Sequence, residues 1–266
     1  MRSETRSAGR AMPPYGSALL LVVASRARAL APPFCRALVA RHGETTFNEA
    51  GLIQGTLESE LTPRGRDQAR ELGRALGAIN STIARVHVSS RLRARQTLAA
   101  LASEFPALAA VPPVVRPGLR EIEHVPWEGR ARADVVRDDG DRWAAWKADP
   151  ETFRFVENGA APLQDCWERA AGEWAALRDA TRAGEVALVV AHGAFNRCLL
   201  AHALGLPMSV FRDAKERFVF ANCECVELEW RAGGSNAHAD RWRRRVPTPS
   251  AWSTGGEERA RLEGAG

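Results

Sequence analysis

The apolar run Ala37-Leu38-Val39-Ala40 ends in Arg41-His42-Gly43, and the later run Val189-Val190-Ala191 ends in His192-Gly193. Two short β-prone runs that each deliver a histidine into a glycine turn restrict the folds open to this chain. Core packing explains one such histidine; it is a poor explanation for the same design twice. In open α/β sheets the carboxyl ends of the strands are where ligands bind. A histidine placed there can act as a nucleophile and carry a covalent intermediate. Arg41, its neighbour, offers a planar fork for phosphate oxygens.

From residue 37 onward, strand-like and helix-like stretches alternate. That alternation predicts an α/β fold of three layers, α/β/α, with a mostly parallel central sheet. Strands are expected over 37–41, 85–88, 111–115 and 186–191. Helices are expected over 92–104, 163–181 and 194–204, and from Pro63 to about residue 76 or 79, with Thr62 as cap and Pro63 at the first position. Cys223–Trp230 and Ala239–Val246 are expected to pair as a hairpin across Gly233-Gly234. Residues 130–160, charged and carrying Trp143 and Trp146, read as a helical insertion over the site, the two indoles at its mouth.

Two further stretches carry candidate chemistry. Ser89-Ser90-Arg91-Leu92-Arg93 reads as strand end, turn and helix start, with a serine as cap. Arg93 then falls in a first helical turn, where amide donors favour anions. Leu119-Arg120-Glu121-Ile122-Glu123 and Trp127-Glu128-Gly129 supply carboxyl groups in an irregular stretch, one of them a candidate general acid.

Together these residues resemble the histidine phosphatase superfamily, with its phosphoglycerate-mutase-like fold, over residues 37 to 230. The run from Arg41 to Asn48, then Ile53-Gln54-Gly55 with Leu61-Thr62-Pro63-Arg64-Gly65, then Arg93 to Thr97, then Ala191-His192-Gly193 follow its signatures in order. Within it, Leu119–Glu123, Pro162–Trp174 and Ala187–Arg212 resemble plant and cyanobacterial phosphatases of the 2-carboxy-D-arabinitol-1-phosphatase kind. The resemblance implies metal-independent hydrolysis of a small phosphorylated metabolite, possible sugar phosphates included, without a cofactor. His42 would become a phosphohistidine. Arg41, Arg93 and His192 would hold the phosphoryl oxygens, and Asn48 would add a hydrogen bond. Gln54, Gly55 and Gly193 would lie around the substrate. Glu121 would be the acid and then the base, with Glu123 as rival and Trp127 and Val125 as an apolar wall; the wider family commonly has Gly where Val125 stands. Two guanidiniums should lower the pKa of His42 and keep it nucleophilic.

A phosphoglycerate mutase shares this chemistry but must hold a second phosphate, for which Arg130, Arg132 and Arg137 are the candidates. A non-catalytic binding protein would lack part of the set, and Arg41, His42, Arg93, Glu121 and His192 are all present.

The net charge of +5 and pI near 9.3 do not mark a nucleic-acid binder. Residues 1–36 hold six arginines and one acid, so the rest of the chain is balanced. The cluster Arg241-Trp242-Arg243-Arg244-Arg245 would split between two faces of a strand. Residues 1–36 read as a targeting segment: arginines, a short apolar run too short to span a bilayer, and Ala27-Arg28-Ala29 as a cleavage site. A bipartite plastid address with a transit peptide is the expectation, with a mitochondrial or secretory address as alternatives. No stable membrane association of the mature form is expected. Residues 37–246 form the phosphatase domain of this reading and 247–266 a disordered tail. The five cysteines match no zinc spacing and are expected to be ordinary thiols.

Overall fold

The computed structural model describes residues 34–78, 82–213, 219–233 and 238–246. The expected targeting segment, apart from its last three residues, and the expected tail lie outside the described residues, as does Gly234 of the hairpin turn.

A six-stranded sheet carries the molecule, with strand order β3-β2-β4-β1-β5-β6. The strands are β1 (Phe34–Arg41), β2 (Ile83–Ser89), β3 (Pro113–Arg116), β4 (Val186–Ala191), β5 (Cys225–Arg231) and β6 (Arg241–Val246). The first four run parallel; β5 and β6 are antiparallel additions at one side. β1 starts three residues earlier than the pattern suggests, so Phe34, Cys35 and Arg36 belong to the sheet. Arg36 N–H bonds the Glu185 carbonyl, which extends the pairing with β4 to that end.

The central strands are apolar on both faces because helices cover both. Ala37 and Val39 of β1, with Ala187, Val189 and Ala191 of β4, pack into one core cluster. Leu38 and Ala40, with Val186, Leu188 and Val190, pack into the other. The first cluster is closed by α6 (Pro162–Ala180) and α7 (Gly193–Ala203), the second by α2 (Pro63–Ala78) and α3 (Leu92–Glu104). The short helices α1 (Thr46–Glu49), α4 (Arg132–Asp138), α5 (Gly140–Ala148) and α8 (Val210–Asp213) lie in the connections; α1 and α8 are too short to leave a periodic signal.

Helix starts are where local reading fared unevenly. Thr62 caps α2 as expected, its Oγ1 accepting the Gly65 N–H at 2.9 Å. At α3 the expected serine is displaced: Arg91 is the N-cap residue, and the Glu58 carboxylate accepts the Leu92 N–H at 2.8 Å. A cap brought from a distant loop has no signature at the helix itself.

β6 is an edge strand. Its Arg243 pairs with the buried Glu227 of β5 at 3.0 Å, and Trp242 packs against the core. All five cysteines are buried thiols. Cys223, expected on a strand face with Cys225, instead precedes β5 with a left-handed φ of 56°. Among the described residues, no helix is long and apolar enough to cross a membrane.

Candidate active site

Adjacent parallel strands place the two histidines. Arg41 of β1 is in register with Ala191 of β4, so His42 and His192 leave the sheet side by side, their rings 5.2 Å apart edge to face. The His42 N–H bonds the Ala191 carbonyl at 3.0 Å, which carries the pairing one residue past the strands. His42 opens into a cleft of about 360 Å³, in the size range of small-molecule sites.

His42 Nδ1 lies 2.7 Å from the Gly43 carbonyl. A carbonyl only accepts, so Nδ1 carries the proton and Nε2 keeps its lone pair. Burial and then the charges of Arg41 and Arg93 hold its pKa well below the usual 6.5; the bond to Gly43 opposes them. The arginines act in the expected direction, but burial is the larger cause. Gly43 is itself pinned, its N–H on Thr97 Oγ1 at 2.9 Å. A Cβ on Gly43 would stand 2.4 Å from the Gly65 carbonyl oxygen, so α2 can approach the nucleophile's turn only if this residue is glycine.

Arg93 is fully buried and binds three groups: His192 Nδ1 at 3.2 Å through Nε, and the Leu57 and Gly55 carbonyls, each at 2.9 Å, through its two terminal nitrogens. A guanidinium has five N–H groups, so three such bonds leave two for a ligand. Burial lowers its pKa to about 10, with Glu121 and Glu58 opposing, and it stays cationic at neutral pH. Because Arg93 donates to Nδ1, His192 carries its proton on Nε2 and gives it to Ser89 Oγ at 2.8 Å. His192 is wholly buried and sits behind Arg93, outside the cleft wall; burial first, then Arg93, hold its pKa well below 6.5.

Arg41 lines the cleft, with Nη1 on the Phe220 carbonyl at 2.7 Å. Asn48, in α1, has its Oδ1 taken by Thr45 N–H at 3.2 Å, Thr45 Oγ1 at 3.1 Å and Asn222 Nδ2 at 3.3 Å, which turns its amide NH2 into the group available as donor. Gln54 and Gly55 also line the cleft. Gly55 has φ +48°, and a Cβ there would run into the Glu128 carboxylate. Gly193 is the first residue of α7 and does not line the cleft, and a Cβ on it would meet Arg41 at 3.4 Å, an ordinary contact.

Of the two rival acids, Glu121 lines the cleft, whereas Glu123 pairs with Arg120. The expected apolar wall is absent from Glu121. Val125 is exposed, and Trp127 is buried among His124, Trp143 and Phe155. Glu121 instead sits on the N-terminus of α7, its Oε1 accepting from Ile122 at 2.9 Å and Phe195 at 3.0 Å, its Oε2 from Ala194 at 3.3 Å. A helix N-terminus attracts an anion through its orphan N–H groups, and the carboxyl fills that place. Arg169 of α6 fixes the loop from behind by donating to the carbonyls of Gly118, Arg120 and Glu121.

Trp143 and Trp146 line the cleft as expected. Of the three arginines proposed for a second phosphate, only Arg132 does; Arg130 and Arg137 pair with Asp138, and Arg137 also with Asp134. Sequence reasoning missed Lys147, Arg197 and Arg212 on the cleft wall, as well as Ser89, Thr97, Asn222 and Arg169 behind it. A lone serine, threonine or asparagine has no motif; its partner is set by the fold.

Residues 37–243 match the histidine phosphatase superfamily (branch 1). The chain belongs to that superfamily. It is 32% identical over 196 residues to the 2-carboxy-D-arabinitol-1-phosphatase of Triticum aestivum, covering 73% of this chain and 37% of the relative. It is 31% identical over 172 residues to the adenosylcobalamin/alpha-ribazole phosphatase of Salmonella typhimurium, covering 65% of this chain and 81% of the relative. The chain thus spans about two fifths of the length of the plant relatives it matches. The native mycobacterial glucosyl-3-phosphoglycerate phosphatase structure is similar in fold, with TM-score 0.65 and 25% identity, covering 82% of this chain and 100% of that one. In this superfamily member the fold brings Arg41, His42, Asn48, Arg93 and Glu121 to one cleft, with His192 bonded to Arg93 outside its wall.

Proposed function

We propose that this chain is a phosphomonoesterase that acts on a small phosphorylated metabolite through a phosphohistidine on His42, with no metal or cofactor. The observation that carries this reading is the His42 tautomer: Nδ1 is committed to the Gly43 carbonyl, so Nε2 keeps its lone pair in a cleft flanked by Arg41 and Arg93. Nε2 attacks phosphorus as the bond to the leaving oxygen breaks. Arg41, Arg93 and the Asn48 amide meet the phosphoryl oxygens, and the fixed cations stabilise the charge that moves onto them. His192 acts from behind Arg93. Glu121 protonates the leaving oxygen; Oε2, with its single longer bond, is the oxygen placed to carry that proton. Water then attacks the phosphohistidine, its proton goes to Glu121, the N–P bond breaks, and neutral His42 returns. The named activities of the relatives, all on small phosphorylated molecules, support this reading.

A mutase is the second reading, favoured by Arg132 on the cleft wall. One experiment separates the two. Turnover with chelator present should release inorganic phosphate, and a rapid quench with labelled substrate should trap an acid-labile phosphoryl group that the His42→Ala protein does not acquire. Isomerised phosphoglycerate without phosphate release would favour the mutase. A plastid address is part of the same proposal, since the plant-like resemblance and the arginine-rich N-terminus point together; a fluorescent fusion of residues 1–36 tests it.

A further inference from the structure

The acid of this site stands on a loop with little regular structure. Residues 117–128, between β3 and α4, form two single 3₁₀ turns, Pro117–Leu119 and Val125–Trp127, and Glu121 lies between them, outside any helix or strand. Leu119 and Ile122, on either side of it, are buried in the first core cluster and anchor the loop there. Two anchors fix the depth of the loop. They leave the peptide planes between them free to turn about the line that joins them, and the direction of the Glu121 side chain turns with those planes.

Arg169, in the middle of α6, removes that freedom. Its Nη1 donates to the Gly118 and Arg120 carbonyls at 2.9 and 2.8 Å, and its Nη2 to the Glu121 carbonyl at 3.1 Å. Three carbonyl oxygens that converge on one point repel one another, and a planar cationic fork is the group that holds them together. The same guanidinium lies 5.7 Å from the centre of the Phe195 ring. Phe195 is the residue whose N–H meets Glu121 Oε1 at 3.0 Å. Arg169 therefore touches the main chain of the acid and also the residue that holds its carboxylate. One turn further along α6, Glu173 pairs with Arg116, and a Cβ on Gly118 would run into the Glu173 carboxylate, so one face of α6 supports the start of the loop as well.

From this arrangement we infer that Arg169 is a positioning residue for proton transfer: it aims Glu121 at the leaving oxygen and takes no part in binding the phosphoryl group. This inference rests on the phosphomonoesterase reading above. Arg169 is not on the cleft wall, so it acts through Glu121 and not on the substrate. Without it, three part-buried carbonyls lose their donor, and the loop turns to regain one. The carboxyl moves with the loop, and a shift of about 1 Å at a reacting group is enough to cost rate. His42, Arg41 and Arg93 keep supports of their own, so the loss falls on the proton. Leu119 and Ile122 keep the loop folded onto the core.

Arg169→Met and Arg169→Lys in the full chain, with the leaving group varied, test this. p-Nitrophenolate departs without a proton, whereas an alkoxide needs one. The alkyl ester is whichever of glycerol 3-phosphate and glucose 6-phosphate the parent hydrolyses faster, and kcat/KM is the quantity read because it reports the steps up to the phosphohistidine. Arg169→Met should lower it by at least about tenfold for the alkyl ester and by less than about threefold for p-nitrophenyl phosphate. Arg169→Lys keeps the charge but not the fork, and should restore part of the alkyl rate. In a Glu121→Gln background Arg169→Met should cost less than about twofold on the alkyl ester, because the group it aims has gone. Equal losses on both esters would overturn the inference, since a residue that only holds the fold together spares neither. Full additivity with Glu121→Gln would overturn it as well. If Arg169→Met does not fold, Arg169→Lys carries the same comparison and the same cycle, with the alkyl ester again the one that suffers. Phosphate release by the parent with no leaving-group split in the variants would sink the inference alone. No phosphate and no trapped phosphohistidine from the parent would sink the phosphomonoesterase reading, and the inference with it.

Discussion

The two sides of the cleft are built differently. On the strand side the proposed chemical groups are held by hydrogen bonds, some local and some from distant segments. His42 is set by Gly43, Arg93 by an imidazole and two carbonyls, Glu121 by three backbone N–H groups, and Asn48 by Thr45 and Asn222. On the helical side Arg197 is held by the Phe211 ring and carbonyl and Arg212 reaches the Ala148 carbonyl, while Arg132 and Lys147 are exposed. The difference matches two tasks. Phosphoryl transfer needs groups fixed to a fraction of an ångström, whereas a leaving group can be matched by adjustable side chains. Substitutions on the first side should therefore cost rate, and those on the second should cost selectivity.

The largest effect is expected at His42. His42→Ala should lower kcat by about 10⁴-fold or more, as loss of a nucleophile does elsewhere. Its circular dichroism and melting temperature should stay near those of the parent. Turnover within tenfold of the parent would refute the covalent route.

Next comes the acid. Glu121→Gln should slow an alkyl phosphate by about 10²–10⁴-fold, the usual span for general acid catalysis. A substrate with a good leaving group, such as p-nitrophenyl phosphate, should suffer less. Glu123→Gln should show no such split, because Glu123 is turned to Arg120. If the split appears at Glu123 instead, the two sides of the cleft have been drawn in the wrong place.

Arg93→Lys tests whether the strand side depends on geometry or only on charge. An ammonium cannot meet an imidazole and two carbonyls in one plane. We expect kcat to fall by about 10²-fold despite the retained charge. A fall below threefold would mean that charge alone suffices.

The pH dependence gives the smallest but most specific effects. His42 is held below 6.5, and protonation removes its lone pair. The acid limb of kcat/KM set by His42 should therefore lie below pH 6.5; an acid limb centred above pH 7 would contradict the buried site. Stability follows the same sign. His124 and His87 have pKa values lowered to about 4, chiefly by burial. The unfolded chain binds a proton on each near pH 6.5, the folded chain only near 4. Stability is complete above about pH 6.5 and falls as pH drops towards 4, by about 1.4 kcal/mol per pH unit per histidine. The urea midpoint should drop between pH 7 and pH 5, and His124→Phe should flatten part of that drop.

Much of the strand side was legible in the sequence. The runs into Arg41-His42-Gly43 and His192-Gly193 located both strands, because a strand buried on both faces reads as a continuous apolar run. Thr62-Pro63 marked the start of α2 through chemistry local to four residues. The helical side was legible only as a segment. Its indoles could be assigned to the cleft, but Arg130, Arg132 and Arg137 looked alike there. Two of them are neutralised by Asp134 and Asp138, while Lys147, Arg197 and Arg212 turn inward. An exposed cation gives no periodic signal of where it points.

The sequence by itself determined the alternating layers, the residues that reach the strand ends, and the type of chemistry they suit, since periodicity, turn glycines and side-chain functional groups are local properties. Only the tertiary structure decided that Arg93 is buried on His192, that Glu121 rather than Glu123 faces the cleft on a helix N-terminus, and that four further cations share the wall. Those outcomes depend on which segments the sheet order β3-β2-β4-β1 brings together, and contacts between residues far apart in the chain are not written in either one alone.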